Sequence, residues 1–253
     1  MLYQIVFSPT GGTKKIADTV TEKFSEDVKK IDLFSGEGLS ERLDERDLAI
    51  IAVPSYGGRI PAFASKRLEK IHGNGCKAIL IAVYGNRDYD DTLIELYDIA
   101  SKNRFVCIAA ITAVAEHSLV KCVATGRPDD IDKKKLKNFA DKIVCKLKYL
   151  KDVNVPGNRP YVPLKKSFSA KPILKGKCIK CGKCAYECPV SAISLKDVSV
   201  VDTEKCISCM HCVSICPKNA RTLENGVEMK VREKLTKICV ERKEPELFIN
   251  TTD

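Results

Sequence analysis

Between residues 2 and 150, short continuous apolar runs alternate with stretches whose apolar residues recur every three or four positions. The runs at 2–7, 48–53, 78–84 and 105–114 are apolar on both alternating faces, the pattern of strands covered by helices on either side. A weaker strand near 30–34 belongs at an edge. Ile16, Val20, Phe24 and Val28 mark the core-facing stripe of one helix. Residues 61–71 read as a second. Residues 91–102, with Leu93, Leu96, Tyr97 and Ala100 on one face, read as a third. Leu136, Phe139, Ile143, Leu147 and Leu150 mark the last helix. Strands and helices in alternation with short connections require right-handed crossovers and a parallel sheet. The pattern predicts a five-stranded, doubly wound α/β sheet over residues 1–152, with its ligand site at the carboxyl ends of the strands.

The periodicity stops near Val155. Pro156, Pro160, Pro163 and Pro172 interrupt any helix, and Lys165, Lys166, Lys171, Lys175 and Lys177 make the stretch basic. Residues 153–176 therefore read as a linker laid over the surface. Residues 177–189 then repeat as 205–217, each copy spelling C-x2-C-x2-C-x3-C-P. This small α+β unit spans 177–226, and 227–253 reads as a short helix with a polar tail.

Thiolates are soft ligands for iron–sulfur clusters, zinc or copper(I). Three cysteines at two-residue spacing cap three corners of a cubane, and the fourth, followed by proline, serves the other cluster. One [4Fe-4S] cluster would take Cys178, Cys181, Cys184 and Cys216, and the other Cys206, Cys209, Cys212 and Cys188. Structural zinc is the alternative, but zinc sites pair two CxxC units across a longer gap. The repeat resembles the bacterial two-cluster ferredoxins. His211 lies between two of these ligands and reads as an exposed loop residue. Cys76, Cys107, Cys122, Cys145 and Cys239 read as small core residues.

Three loops should meet at the carboxyl edge of the sheet. The first, 8–13, offers hydroxyls and backbone N–H groups at a helix N-terminus, which favours a phosphate; neither Walker A nor GxGxxG spacing is met. The other two, 54–61 and 84–89, each place a tyrosine near glycines, suited to a flat ring system. Together the three loops resemble flavodoxin and imply FMN. On that resemblance Ser8, Thr10, Gly11, Gly12 and Thr13 would hold the phosphate. Ser55, Tyr56, Gly57 and Gly58 would meet one face and edge of the ring, and Tyr84, Gly85, Asn86, Arg87 and Tyr89 the other. Flavodoxins often stack a tryptophan on the ring, and this chain has none. Lys14 reads as a solvated surface charge, and His117, after the fifth strand, as a loop residue.

The order of parts is similar to the flavodoxin–ferredoxin fusion proteins of anaerobic prokaryotes. That resemblance implies electron transfer with two [4Fe-4S] clusters and FMN, and redox-partner proteins that give or take one electron. A flavin-dependent reductase acting on a small substrate is the other reading, with Arg59 or His117 converging on the flavin. The formal charge of +10 suggests nucleic acid. Two clusters and a flavin phosphate would lower it to about +4, so no nucleic-acid partner is expected. No apolar run reaches the length of a membrane helix, so no membrane partner is expected either. The start reads as a strand rather than a signal peptide. With thirteen cysteines mostly at ligand spacing, it predicts a cytoplasmic, reducing setting.

Overall fold

The computed structural model describes residues 1–164 and 170–251. Residues 165–169, which carry Lys165 and Lys166 of the predicted linker, and residues 252–253 of the predicted tail lie outside the described residues. The apolar runs form β1 (Leu2–Val6), β2 (Val28–Asp32), β3 (Leu48–Pro54), β4 (Lys77–Tyr84) and β5 (Val106–Val114), all parallel in the order β2-β1-β3-β4-β5. Four helices cover them: α1 (Gly12–Thr21), α2 (Ala62–Leu68), α3 (Thr92–Lys102) and α4 (Asp130–Lys146).

Both faces of the central strands are buried, which is why those runs show no alternation. Ile50, Ile79 and Ile81 face Ile16 and Val20 of α1 and Leu136 and Ile143 of α4. Ile51, Leu80 and Ala82 face Leu68 of α2 and Leu93 and Leu96 of α3. Edge strand β2 keeps Lys29 and Lys30 exposed.

Two predicted helices are shorter than their stripes. α1 stops at Thr21, and Val28 opens β2. Phe24 still packs on the same core from the turn, so its apolar spacing reflects burial without helix. α4 stops at Lys146, and Leu150 belongs to strand β6 (Leu150–Lys151).

The segment read as a polar tail supplies a further strand, β9 (Glu246–Thr251), antiparallel to β5 on one side and β6 on the other. Among the described residues the sheet thus has seven strands, the five predicted parallel ones plus an antiparallel pair. Leu247 and Ile249 pack on one core and Phe248 on the opposite one, so this short apolar triplet is a two-faced strand.

The linker crosses α3. The Asp91 carboxylate accepts hydrogen bonds from the Asn158 backbone N–H (2.8 Å) and the Val162 N–H (2.6 Å), and Asp98 accepts from the Tyr161 hydroxyl (2.6 Å). Its end forms β7 (Pro172–Leu174), which pairs antiparallel with β8 (Arg221–Leu223) and so belongs to the cysteine-rich unit. That unit also holds one-turn helices α5 (Lys183–Tyr186) and α6 (His211–Ser214). α7 (Asn225–Ile238) follows, with Val231 and Leu235 packed on Val120 and Val123. Among the described residues no helix is long and apolar enough to cross a membrane.

Candidate metal centres and the strand-end loops

The cysteine repeat folds into two cavities, each lined by four cysteines. One is lined by Cys178, Cys181, Cys184 and Cys216. The other is lined by Cys206, Cys209, Cys212 and Cys188. Each cavity therefore takes its fourth cysteine from the other copy. Among the described residues no three Cys, His, Asp or Glu side chains converge closely enough to hold a single metal ion. Sulfurs spread around a cavity suit the corners of a cubane and do not suit the tight tetrahedron of zinc. The fourth cysteines are prepared alike: Cys188 Sγ accepts from the Ala192 N–H (3.3 Å) and Cys216 Sγ from the Ala220 N–H (3.2 Å). Burial pushes the Cys209 thiol up to about 11 and the Cys212 thiol to about 12. Burial also raises Cys216, but backbone donors from Lys218, Ala220 and Arg221 outweigh it and hold this thiol below its ordinary value.

Arg221 lines both cavities and is 2% exposed. Its guanidinium donates to the Val198 carbonyl and, at 3.4 Å, to the Pro172 carbonyl, while its Nε has no partner among the described residues. None of the ion pairs among the described residues includes it. A buried cation without a counter-charge is costly. An anionic tetrathiolate cluster on either side supplies that charge, so the donor set and its surroundings fit two [4Fe-4S] clusters. Arg221 was missed in the sequence, although the repeat marks it: it occupies the position of buried Ile193 in the first copy.

The second copy is docked on the α/β domain. His211 is half-buried, with Nδ1 2.7 Å from the Pro9 carbonyl oxygen and Nε2 3.0 Å from the Glu187 carboxylate. Its ring lies 4.5 Å from that of Phe34. Ile207 packs against the α2/α3-side core, and Met210 and Val213 pack with Leu119. Tyr56 is half-buried as a residue, but its hydroxyl end is deep. Burial, with Cys209 close by, pushes its ionisation well up. The cavity of Cys188, Cys206, Cys209 and Cys212 is thus the inner one, set beside the loops at 8–13 and 54–61, and the other is outer.

The first loop is shaped for an anion. Gly11 has φ +87°, which only glycine adopts readily, and nothing lies within 4 Å of the side chain it lacks. Gly12 allows the loop to approach β5, since a Cβ there would stand 3.0 Å from that of Ala115. The Ser8 hydroxyl accepts from the Lys14 N–H at 2.9 Å. No hydrogen bond among the described residues engages the N–H of Gly12 or Thr13 at the start of α1, and Thr10 is exposed. Lys14 pairs with Asp18.

In the second loop Tyr56 and Arg59 exchange backbone hydrogen bonds around Gly57 and Gly58, both at positive φ. The Ser55 hydroxyl accepts from that of Thr92 (2.7 Å). The first loop has backbone N–H groups that would suit a phosphate, while in the second Gly58 lies against the Asp90 side chain and Gly57 near Leu164.

The third loop is occupied by other parts of the chain. Tyr84 is buried edge-on to Tyr89, which reaches Glu246 of β9 at 3.4 Å. Gly85 is covered by His117, and Arg87 pairs with Asp90. The Asn86 amide donates to the carbonyls of Cys239 (3.2 Å) and Glu241 (2.8 Å) and accepts from the Lys243 N–H (3.0 Å). The structure therefore brings the first two loops to the inner cavity. It commits the side chains of Tyr84, Asn86, Arg87 and Tyr89 to contacts within the chain, and His117 covers Gly85. His117 is a satisfied loop residue: its Nδ1 accepts from the N–H of Leu119 (3.2 Å) and Val120 (3.3 Å), and burial lowers its pKa to about 4. Arg59 is fixed by Glu95 (2.8 and 2.9 Å) and stacks on Tyr161. Of the remaining cysteines Cys76 and Cys107 are buried as expected, whereas Cys122 and Cys145 are exposed and Cys239 half-buried.

Residues 177–220 match the family described as a 4Fe-4S dicluster domain. Among solved structures, the α/β domain is similar to a flavodoxin of Streptococcus pneumoniae TIGR4. The identity is 22%, over 58% of this chain and 99% of that one, with a TM-score of 0.40. It is also similar to oxidised flavodoxin 1 of Bacillus cereus (17% identity, 57% of this chain and 97% of that one, TM-score 0.41). A third is Fusobacterium nucleatum flavodoxin bound to flavin mononucleotide (15% identity, 57% and 96%, TM-score 0.38). None of the curated proteins compared with the chain matches it. The flavodoxin-like assignment rests on the parallel strand order itself, which is that of the doubly wound sheets of this class.

Proposed function

We propose that this chain, a flavodoxin-like domain joined to a 4Fe-4S dicluster domain, relays single electrons between two [4Fe-4S] clusters and FMN and on to a redox-partner protein. Bound clusters exchange one electron at a time, and FMN accepts one or two. The single observation that carries the reading is the seat of the inner cysteine loop on the loops at 8–13 and 54–61. His211 is hydrogen-bonded to Pro9, and Ile207 packs on the core that includes Ile60 of the second loop. Gly11, Gly12 and Thr13 would hold the FMN phosphate, and Tyr56 would lie between the ring and the inner cluster. The reductase reading loses its candidates, since Arg59 is held by Glu95 and Tyr161 and His117 by backbone N–H groups. A reducing, cytoplasmic setting accords with eight thiolate ligands.

Anaerobic reconstitution is expected to give about eight irons, as two four-iron clusters require, and one FMN per chain. After dithionite reduction, rapid mixing should show cluster reoxidation coupled to loss of flavin absorbance. Clusters that stay reduced beside oxidised flavin would refute the relay.

A further inference from the structure

The two copies of the cysteine repeat present the same surface in different states. Ile179, Lys183 and Tyr186 of the first copy correspond position for position to Ile207, His211 and Ser214 of the second. In the second copy two of these positions are covered by the α/β domain, since Ile207 packs on its core and His211 is held by Pro9 and Phe34, while Ser214 stays exposed at the rim. In the first copy the equivalent surface is bare, with Ile179 56% and Tyr186 76% exposed. Lysines surround it. Lys177, Lys180 and Lys218 are exposed and form no ion pair among the described residues. Lys183 has only a 3.8 Å surface contact with Glu187. All flank the ligands of the outer cavity, so this is also the face nearest the outer centre.

We propose that this face docks an acidic redox protein, seated on the first copy as the α/β domain is seated on the second. The apolar pair Ile179 and Tyr186 forms the middle of the contact, and the lysines meet carboxylates at its rim, the usual layout of a transient polar-rimmed interface. The inference rests on the electron-transfer reading and adds to it the partner's charge and the place where it binds. One electron leaves the partner's reduced centre, oxidising it by one. A cluster held by Cys178, Cys181, Cys184 and Cys216 would take it up and be reduced by one, with no bond formed or broken and no proton moved.

The probe is a small acidic ferredoxin titrated into the anaerobically reconstituted full chain. Binding is expected to weaken as salt rises. Reversing three charges, Lys180→Glu, Lys183→Glu and Lys218→Glu together, should weaken it about tenfold or more, as rim charges that steer encounter do. The same reversal at Lys134, Lys142 and Lys146 on α4, an equal change in net charge, should leave the affinity within about twofold. Lys180 and Lys183 lie between ligands, so cluster content is checked by absorbance. The unaltered chain gives a second readout: bound probe should protect Lys180, Lys183 and Lys218 from acetylation. The inference is overturned if the probe does not bind, if it protects other lysines instead, or if the α4 reversal weakens binding equally. A chain whose iron cannot be reduced by a small viologen overturns the electron-transfer reading itself.

Discussion

Replacing Arg221 by methionine removes a buried cation from the wall between the two cavities while keeping much of the side chain's bulk. The guanidinium touches both cavities, is 2% exposed, and has no carboxylate partner among the described residues. Each cluster gains one negative charge on reduction, so a fixed positive charge beside it favours the reduced form. At about 8 Å, the reach of a side-chain head to the middle of a cavity it lines, and an effective dielectric of about 20, one unit charge contributes about 2 kcal/mol. For a one-electron couple that is about 90 mV. Both potentials should therefore fall by about 90 mV in Arg221→Met, while Arg221→Lys, which keeps the charge, should lose less than half as much. Anaerobic redox titration followed by EPR measures this directly. If the methionine variant binds the same iron and both potentials stay within about 20 mV of the parent, the buried charge does not act on the clusters.

Ending the chain before Glu246 removes β9 and unpairs the edge of β5. Leu247, Phe248 and Ile249 are half-buried and together contribute about 3 kcal/mol, which should lower the thermal midpoint by roughly 10 °C in circular dichroism. An unchanged midpoint would show that the strand adds nothing. His117 is lowered to about 4 by burial, so the folded chain binds fewer protons there than the unfolded one. Stability is present above the unfolded value near 6.5 and is lost as pH falls towards 4, by at most about 3 kcal/mol. His117→Gln should flatten that acid limb in urea titrations, and an identical slope would contradict it. Gly11→Ala forces a Cβ into a φ of +87° with open space around it, so it should destabilise by only about 1 kcal/mol. It should nevertheless weaken FMN binding, measured by fluorescence quenching, and unaltered binding would place the phosphate elsewhere.

The parallel sheet was legible because its strands are buried on both faces and read as unbroken apolar runs. Three of the four cysteines lining each cavity were legible because their spacing is local and each copy carries its own three. What stayed hidden depends on contacts distant in sequence. The triplet Leu247-Phe248-Ile249 looks like a chain end until β5 and β6 are seen to flank it. Asn86 sits in a glycine-bearing loop that resembles a flavin contact, yet its amide holds a segment more than 150 positions away. His211 looks like an exposed residue between ligands, because its partners Pro9 and Phe34 lie in the other domain. Leu150 continues a helical stripe by spacing alone, since one apolar position serves a helix turn or a strand equally well.

The topology explains why the two copies diverged. The chain leaves the sheet at Lys151 and returns at Glu246, and the strands concerned are neighbours: Leu150 pairs with Thr251 and Lys151 with Asn250. The cysteine-rich unit is therefore a closed excursion between adjacent strands, not a body hung on one linker. Its outward path is held by Asp91 and Asp98. Its return is held by Asn86, by Arg127 on the Lys243 carbonyl (2.8 Å), and by Arg242 on Asp129 (2.8 Å) and Asp132 (3.0 Å). A single flexible tether would leave the inner loop at a finite effective concentration near the strand-end loops. Attachment at both ends removes most of the remaining freedom, at a closure entropy that grows only logarithmically with the excursion's length. One copy is thereby committed to a fixed internal contact, which favours His211, Met210 and Val213 where the other copy keeps Lys183, Gly182 and Ala185. Under the proposed docking the first copy's contact would have to form and break in water, where lysines around a small apolar centre give fast association without permanent binding.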